Sequence, residues 1–172
     1  MHSIGSRVLY RASGVCTVAA VEEAELHPGE RKLYCILAPQ SDPQSRLYIP
    51  ADNEALTSQI RPLMTEEEAL SFIDRIEQIP LLWEEDGRAR TLLFRTLLAR
   101  ADREELCGMV KALRSHRASL LALGKKFYAS DEASLKKAEK LLFEELSASL
   151  SLPQDEVLPL IRQRTGRQVF AD

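Results

Sequence analysis

The stretch LYIPADN, residues 47–53, closes a region of short β-branched and aromatic runs, and a different pattern begins after Pro62. From there on, apolar side chains recur at the three- and four-residue spacing of amphipathic helices. The only tryptophan, Trp83, lies near the start of this second region. The change of pattern predicts an α+β protein with two domains, residues 1–62 and residues 63–172.

The first region predicts a small antiparallel β domain. Its runs are separated by turn-forming residues, and four or five short strands in so short a chain are typical of an SH3-like or Tudor-like barrel. Pro50 cannot donate a main-chain hydrogen bond, so the last run cannot continue as an interior strand. The predicted strands cover residues 6–10, 15–21, 32–38 and 46–49.

The second region predicts an all-α domain of about five helices. Thr65 and Glu68 have the spacing of a capping box, which marks the start of the first helix. Asp86, Asp102 and Ser130 precede further helical patterns, and a last short helix follows Pro153.

Several classes of function lack support in the sequence. The three cysteines are widely spaced and the three histidines are isolated, so we expect no metal site and no cofactor. No nucleophile–base constellation or phosphate-binding loop is visible, and we therefore do not expect an enzyme. Neither a membrane-length apolar run nor a secretion signal is recognisable, which predicts a cytoplasmic protein.

The charge distribution permits nucleic-acid binding but does not require it. The formal net charge is −3, which argues against nonspecific binding to nucleic acid. Basic residues nevertheless outnumber acidic ones between Arg88 and Lys140. Such an excess is also expected of an ordinary solvated helix surface.

Two short features are candidate binding elements, and each has a plain structural alternative. Arg46, Leu47, Tyr48, Ile49 and Pro50 form a short run that is either an ordinary closing strand or an open edge for a partner strand. Trp83 lies between predicted helices, where it is either a core anchor or an exposed wedge beside arginines.

Short motifs in both regions, among them IGSRVLY (4–10) in the first and GKKFYASDE (124–132) in the second, resemble those of the CarD/CdnL family of bacterial transcription regulators. The β region resembles the family's RNA polymerase-interacting domain, which is shared with the transcription-repair coupling factor, through IGSRVLY (4–10), GVCTV (14–18), YCIL (34–37) and LYIP (47–50). The helical region resembles the C-terminal domain of the family through WEED (83–86), GKKFYASDE (124–132) and LKKA (135–138).

The resemblance implies a regulator of transcription initiation. Its β domain would bind the RNA polymerase β subunit by edge-to-edge strand addition through residues 46–50. Its helical domain would contact promoter DNA next to the upstream edge of the transcription bubble and stabilise the open complex. Trp83 would then be the wedge in the minor groove, with Arg88 and Arg90 as phosphate contacts and Lys125 as a more distant one.

One departure from the family weakens the DNA contact. Residues 84–86 are acidic, and acids beside phosphate oppose binding. We therefore expect weak DNA affinity in isolation, with polymerase supplying the local concentration, and we expect a monomer. A protein-only adaptor that docks on polymerase or a repair factor stays open as the alternative. The sequence does not indicate which promoters respond or whether they are activated or repressed.

Overall fold

The computed structural model describes residues 2–166 and residue 170. The chain divides into two compact units, Met1–Leu63 and Met64–Asp172, which we call the β unit and the helical unit. The α+β fold class predicted from the sequence is confirmed.

The β unit is a five-stranded antiparallel sheet with the strand order β4-β3-β2-β1-β5. Strands β2 and β3 form a long hairpin around Gly29, which has a positive φ of 80°. The elements are β1 (Arg7–Tyr10), β2 (Val15–His27), β3 (Glu30–Pro39), β4 (Leu47–Pro50), α1 (Glu54–Thr57) and β5 (Ile60–Pro62).

The expected barrel is not closed. Within the described residues, the short strands β4 and β5 lie at opposite ends of the sheet and form no ladder with each other. Both are only three or four residues long and both end in a proline, Pro50 or Pro62, which limits how far a ladder can extend.

One face of this sheet carries the core of the β unit. Alternation along β3 places Cys35 and Leu37 on the core face, together with Ile49 from β4. The neighbouring strands contribute Val8, Tyr10, Cys16 and Val18, and β5 contributes Ile60.

The helical unit contains five α-helices among its described residues. They are α2 (Glu66–Arg75), α3 (Gly87–Arg100), α4 (Arg103–Ala122), α5 (Ala129–Leu150) and α6 (Gln154–Thr165). A 3-10 turn, Ile76–Gln78, extends the end of α2. The predicted number of helices and their starts at Thr65, Asp86 and Asp102 agree with these bounds.

The helices enclose a single apolar cluster, in which Phe72, Phe94, Leu113, Leu142 and Ile161 are almost completely buried. The face of α3 that packs into the core does not include every leucine of the helix. Its Leu92 is 56% exposed, whereas Phe94 and Leu97 point into the core. No helix in the described part of the chain combines the length and apolar character needed to cross a bilayer.

Candidate functional site

Strand β4 lies at one edge of the sheet and pairs with β3 alone within the described residues. The antiparallel register sets Leu47 opposite Leu37, Tyr48 opposite Ile36, Ile49 opposite Cys35 and Pro50 opposite Tyr34. The other side of β4 has no neighbouring strand in the described structure, so its outward main-chain groups are open to a partner.

The register shows which main-chain groups face outward. The N–H of Ala51 donates to the carbonyl of Leu33 at 2.9 Å, directly beyond the Pro50–Tyr34 pair. Because hydrogen-bonded and non-bonded pairs alternate along an antiparallel ladder, Ile49 and Leu47 bond toward β3. The N–H and C=O of Tyr48 therefore point outward. The carbonyl of Pro50 does not bond to β3 either, but it accepts a hydrogen bond from the N–H of Asn53 at 3.2 Å.

This register also explains the tolerance of a proline in β4. The Pro50 nitrogen faces away from β3, so its missing N–H removes no bond from the ladder. Of the four residues of β4, Tyr48 alone offers a donor to the outside. A strand added at this edge would be centred on Tyr48.

The side chains of this region divide between core and surface. Ile49 is buried in the core, and Leu47 is half-buried against it. Tyr48 is 40% exposed, and its ring packs edge-on against the buried ring of Tyr34, with centroids 5.9 Å apart. Arg46 is exposed, and its guanidinium folds back onto the preceding loop.

The contacts of Arg46 are to two main-chain oxygens. Its Nη1 donates to the carbonyls of Pro43 at 2.6 Å and Ser45 at 2.8 Å. The guanidinium therefore supports the approach of the chain to β4. The predicted polymerase-binding residues 46–50 thus form one continuous edge with its entrance loop.

In the helical unit, the segment that carries Trp83 is held against α4. The N–H of Leu82 donates to the carbonyl of Gly108 at 3.2 Å. A Cβ on Gly108 would lie 2.5 Å from the carbonyl oxygen of Pro80 and 3.1 Å from Cγ of Leu82. Only glycine lets the chain approach the helix this closely.

Lys111 fixes the chain just before this segment. Its Nζ donates to the carbonyls of Ile76 at 2.8 Å, Glu77 at 3.1 Å and Ile79 at 2.7 Å. Burial lowers the pKa of Lys111 from its ordinary value of 10.5. The ammonium supplies hydrogen bonds to main-chain carbonyls that lie just after the end of α2.

The indole of Trp83 is half-buried. The guanidinium carbon of Arg90 lies 4.4 Å from the ring centroid, which is a cation–π distance. The rings of His116 and Phe94 have centroids 4.5 Å and 6.3 Å from that of Trp83. Trp83 is therefore neither a fully buried anchor nor a fully exposed wedge. The ring packs against Arg90, Phe94 and His116, and part of its surface is exposed to solvent.

Arg90 is buried and fully engaged. Its Nε and Nη2 donate to Asp131 at 3.4 Å and 3.1 Å, and its Nη1 donates to the carbonyls of Glu84 at 2.9 Å and Glu85 at 3.1 Å. The side chains of Arg90 and Asp131 are 8% and 3% exposed. In this conformation the guanidinium faces protein groups and not the solvent.

The other two predicted DNA contacts are exposed. Arg88 lies in the first turn of α3, where its main-chain N–H donates to the N-cap carboxylate of Asp86 at 3.0 Å. Lys125 lies in the loop after α4, where its N–H donates to the carbonyl of Leu120 at 2.8 Å. The structure thus brings Trp83 and Arg90 into contact, whereas Arg88 and Lys125 have solvent-facing side chains.

A surface cavity of about 480 Å³ opens beside the indole. Two of its residues, His116 and Ser130, were not predicted from the sequence as binding residues; Ser130 was predicted only as a helix start. Within the described residues, Nε2 of His116 is buried without a hydrogen-bond partner. The cavity is lined by Trp83, Glu85, Gly87, Arg90, His116, Tyr128 and Ser130.

The described residues include no group of three or more His, Cys, Asp or Glu side chains placed to hold a metal ion. The features that remain are an open sheet edge and an aromatic–cationic cluster. Both have part of their surface exposed to solvent.

The β unit is an open antiparallel sheet whose edge strand β4 pairs with β3 on one side only, within the described residues. Residues 2–64, which correspond to the β unit, match the family described as CarD-like/TRCF RID domain. The resemblance stated for residues 4–50 is thereby confirmed, and the match indicates an RNA polymerase-interacting, transcription-related protein. The match ends at residue 64, so the resemblance of the helical unit stays a prediction. No curated protein matches the chain.

Proposed function

We propose that this protein is a transcription regulator that binds the RNA polymerase β subunit through the edge of β4. In the same proposal, the helical unit contacts promoter DNA near the upstream edge of the transcription bubble and stabilises the open complex. The protein acts by binding and carries out no catalysis.

The observation that carries the polymerase contact is the outward N–H and C=O of Tyr48 in an edge strand of a CarD-like/TRCF RID domain. Strand addition supplies affinity through main-chain hydrogen bonds and specificity through alternate side chains. At this edge the side chain of Tyr48 points away from the core. It is exposed, and its ring packs against that of Tyr34.

The test is a proline at position 48. Tyr48→Pro removes the outward N–H but leaves the ladder to β3 intact, because that N–H does not bond to β3. An unsatisfied acceptor at an interface costs about 1–3 kcal/mol, so we expect binding to the isolated polymerase β subunit to weaken about tenfold or more.

Tyr48→Val is the matched control. It removes the ring but keeps the N–H and favours a strand, so it should lose less affinity than the proline variant. If Tyr48→Pro bound the β subunit with the same affinity as the wild type in a titration, strand addition at this edge would be refuted. Arg46→Glu is a less direct test, because Arg46 also bonds to the carbonyls of Pro43 and Ser45.

The DNA contact is supported by the part of the Trp83 ring that reaches solvent and by the exposed side chains of Arg88 and Lys125. Trp83→Ala should shorten the lifetime of the open promoter complex while leaving polymerase binding unchanged. Arg88→Gln and Lys125→Gln should each weaken the effect and reduce its salt dependence, as expected when phosphate contacts are lost.

The protein-only adaptor is the second candidate, and one observation favours it. Arg90 is committed to Asp131 and to two carbonyls, and the acidic residue Glu85 lines the cavity beside the indole. In that case the half-buried Trp83 and its cavity bind a second protein. Open-complex lifetimes and upstream DNA protection that do not change in Trp83→Ala would select the adaptor.

A further inference from the structure

Arg90 connects three segments of the helical unit that are far apart in sequence. It belongs to α3, it receives the carboxylate of Asp131 from the first turn of α5, and it donates to the carbonyls of Glu84 and Glu85 in the Trp83 segment. The face of its guanidinium lies against the Trp83 ring. One side chain thus fixes both the main chain and the ring of the indole.

The pairing with Asp131 fixes the direction of the guanidinium. Two donors, Nε and Nη2, meet the two carboxylate oxygens, which is the fork geometry that restricts rotation of the arginine. With that edge occupied, Nη1 points to the carbonyls of Glu84 and Glu85. Loss of the carboxylate would leave the guanidinium without the contact that orients it.

A buried ion pair is in general weak evidence for stability, because desolvation offsets much of the attraction. What such a pair can supply is a defined geometry. The pair formed by Arg103 and Glu145 is a useful comparison, since Glu145 is equally buried at 4% exposure. This pair joins the first turn of α4 to α5.

We propose that the Arg90–Asp131 ion pair is a positioning element that holds Trp83 in the conformation that contacts DNA, with Asp131 acting through Arg90. This proposal rests on the proposed DNA contact of Trp83 and replaces the phosphate contact first assigned to Arg90. Asp131 is a positioning residue, because it reaches the indole only through the guanidinium.

The test follows the indole directly, since Trp83 is the only tryptophan of the chain. Asp131→Asn keeps the shape of the side chain but sets an amide donor against an arginine donor. We expect a red shift of the Trp83 emission and stronger quenching by iodide, because the ring loses its fixed neighbour. Glu145→Gln, in which the comparison pair is broken, should leave both signals at the wild-type values.

The functional arm uses the full-length variants with polymerase and promoter DNA. If the competent conformation of the Trp83 segment falls to a tenth of its population, the open-complex lifetime falls about tenfold, which corresponds to about 1.4 kcal/mol. Polymerase binding in the absence of DNA should not change. Arg90→Lys keeps the positive charge but loses the paired donors Nε and Nη2 that meet Asp131. It should show the same changes, each smaller in size.

The outcomes separate this inference from the proposed function. Unchanged emission and quenching in a folded Asp131→Asn variant overturn the positioning role, whatever happens to the promoter complex. If Asp131→Asn does not fold, the same criterion applies to Arg90→Lys. If the emission shifts as expected but Trp83→Ala has no effect on promoter complexes, the positioning role stands and the DNA contact is refuted.

Discussion

Replacing Gly108 by alanine should displace the segment that carries Trp83. Gly108 lies inside α4, where a Cβ would meet the carbonyl oxygen of Pro80 at 2.5 Å and Cγ of Leu82 at 3.1 Å. The first distance is far below van der Waals contact, and its atom belongs to the main chain, which cannot rotate away as a flexible side chain can. The segment must therefore move off the helix.

The size of the effect follows from two opposed terms. Forcing an extra methyl group into a packed contact costs about 1–3 kcal/mol, whereas alanine is favoured over glycine in a helix interior by about 0.5–1 kcal/mol. Strain on the bond from Leu82 N–H to the Gly108 carbonyl adds to the cost. We expect a net loss of about 1–2 kcal/mol in the free energy of unfolding.

The assay is urea unfolding followed by the fluorescence of Trp83, which reports on the helical unit. The midpoint should fall by roughly 0.5–1 M, given usual denaturant slopes for small domains. Gly87→Ala is the matched control, because a Cβ there meets only Nη2 of Arg90 at an ordinary 3.9 Å. A Gly108→Ala protein as stable as Gly87→Ala, with unshifted native emission, would refute the close approach described here.

Three further predictions concern single side chains of the helical unit. Thr65→Ala removes the capping box with Glu68 and should cost about 1 kcal/mol in urea unfolding, whereas Thr91→Ala, away from any cap, should cost less. Burial raises the pKa of Glu144 above its ordinary 4.5, so its contribution to stability is present below pH 4.5 and is lost as the pH rises through the folded-state pKa. Glu144→Gln should therefore be more stable than the wild type at pH 7 and similar to it at pH 4 in the same assay. Burial also raises the pKa of the Cys107 thiol to about 12, so Cys107 should react with a disulfide reagent at pH 8 only after unfolding; labelling at the native-state rate of an exposed thiol would contradict this.

The starts of the helices could be predicted from the sequence because capping is local. Thr65, Asp86 and Asp102 each accept a hydrogen bond from a main-chain N–H two or three residues ahead, so the signal lies within one turn. The hairpin turn at Gly29 is equally local. The edge position of residues 47–50 was also accessible, because Pro50 limits where such a strand can lie.

Features that depend on distant partners were not accessible in this way. The strand pattern indicates how many strands exist but not whether the first and last of them meet, so the open sheet was expected to be a barrel. The surroundings of Trp83 depend on Asp131, which is 41 residues from Arg90 in sequence. The helix dipole alone explains a carboxylate such as that of Asp131 in the first turn of a helix. Its pairing with Arg90 could therefore not be predicted from the sequence.

Strand β4 can accept a partner strand, yet it is protected against pairing with a strand from another copy of this protein. Long unpaired edges are the usual starting point of sheet-to-sheet aggregation. Here the nitrogen of Pro50 occupies the position where a second outward donor would stand, and the Pro50 carbonyl already accepts a hydrogen bond from the N–H of Asn53 at 3.2 Å. Among residues 47–50, a strand from another copy would therefore find one outward donor and one uncommitted outward acceptor, both of Tyr48. Such a short ladder is too weak to propagate sheet after sheet, and it becomes useful only when a partner adds contacts around it. Because Pro50 shortens the ladder, a strand can stay bound at this edge only if its protein makes additional contacts.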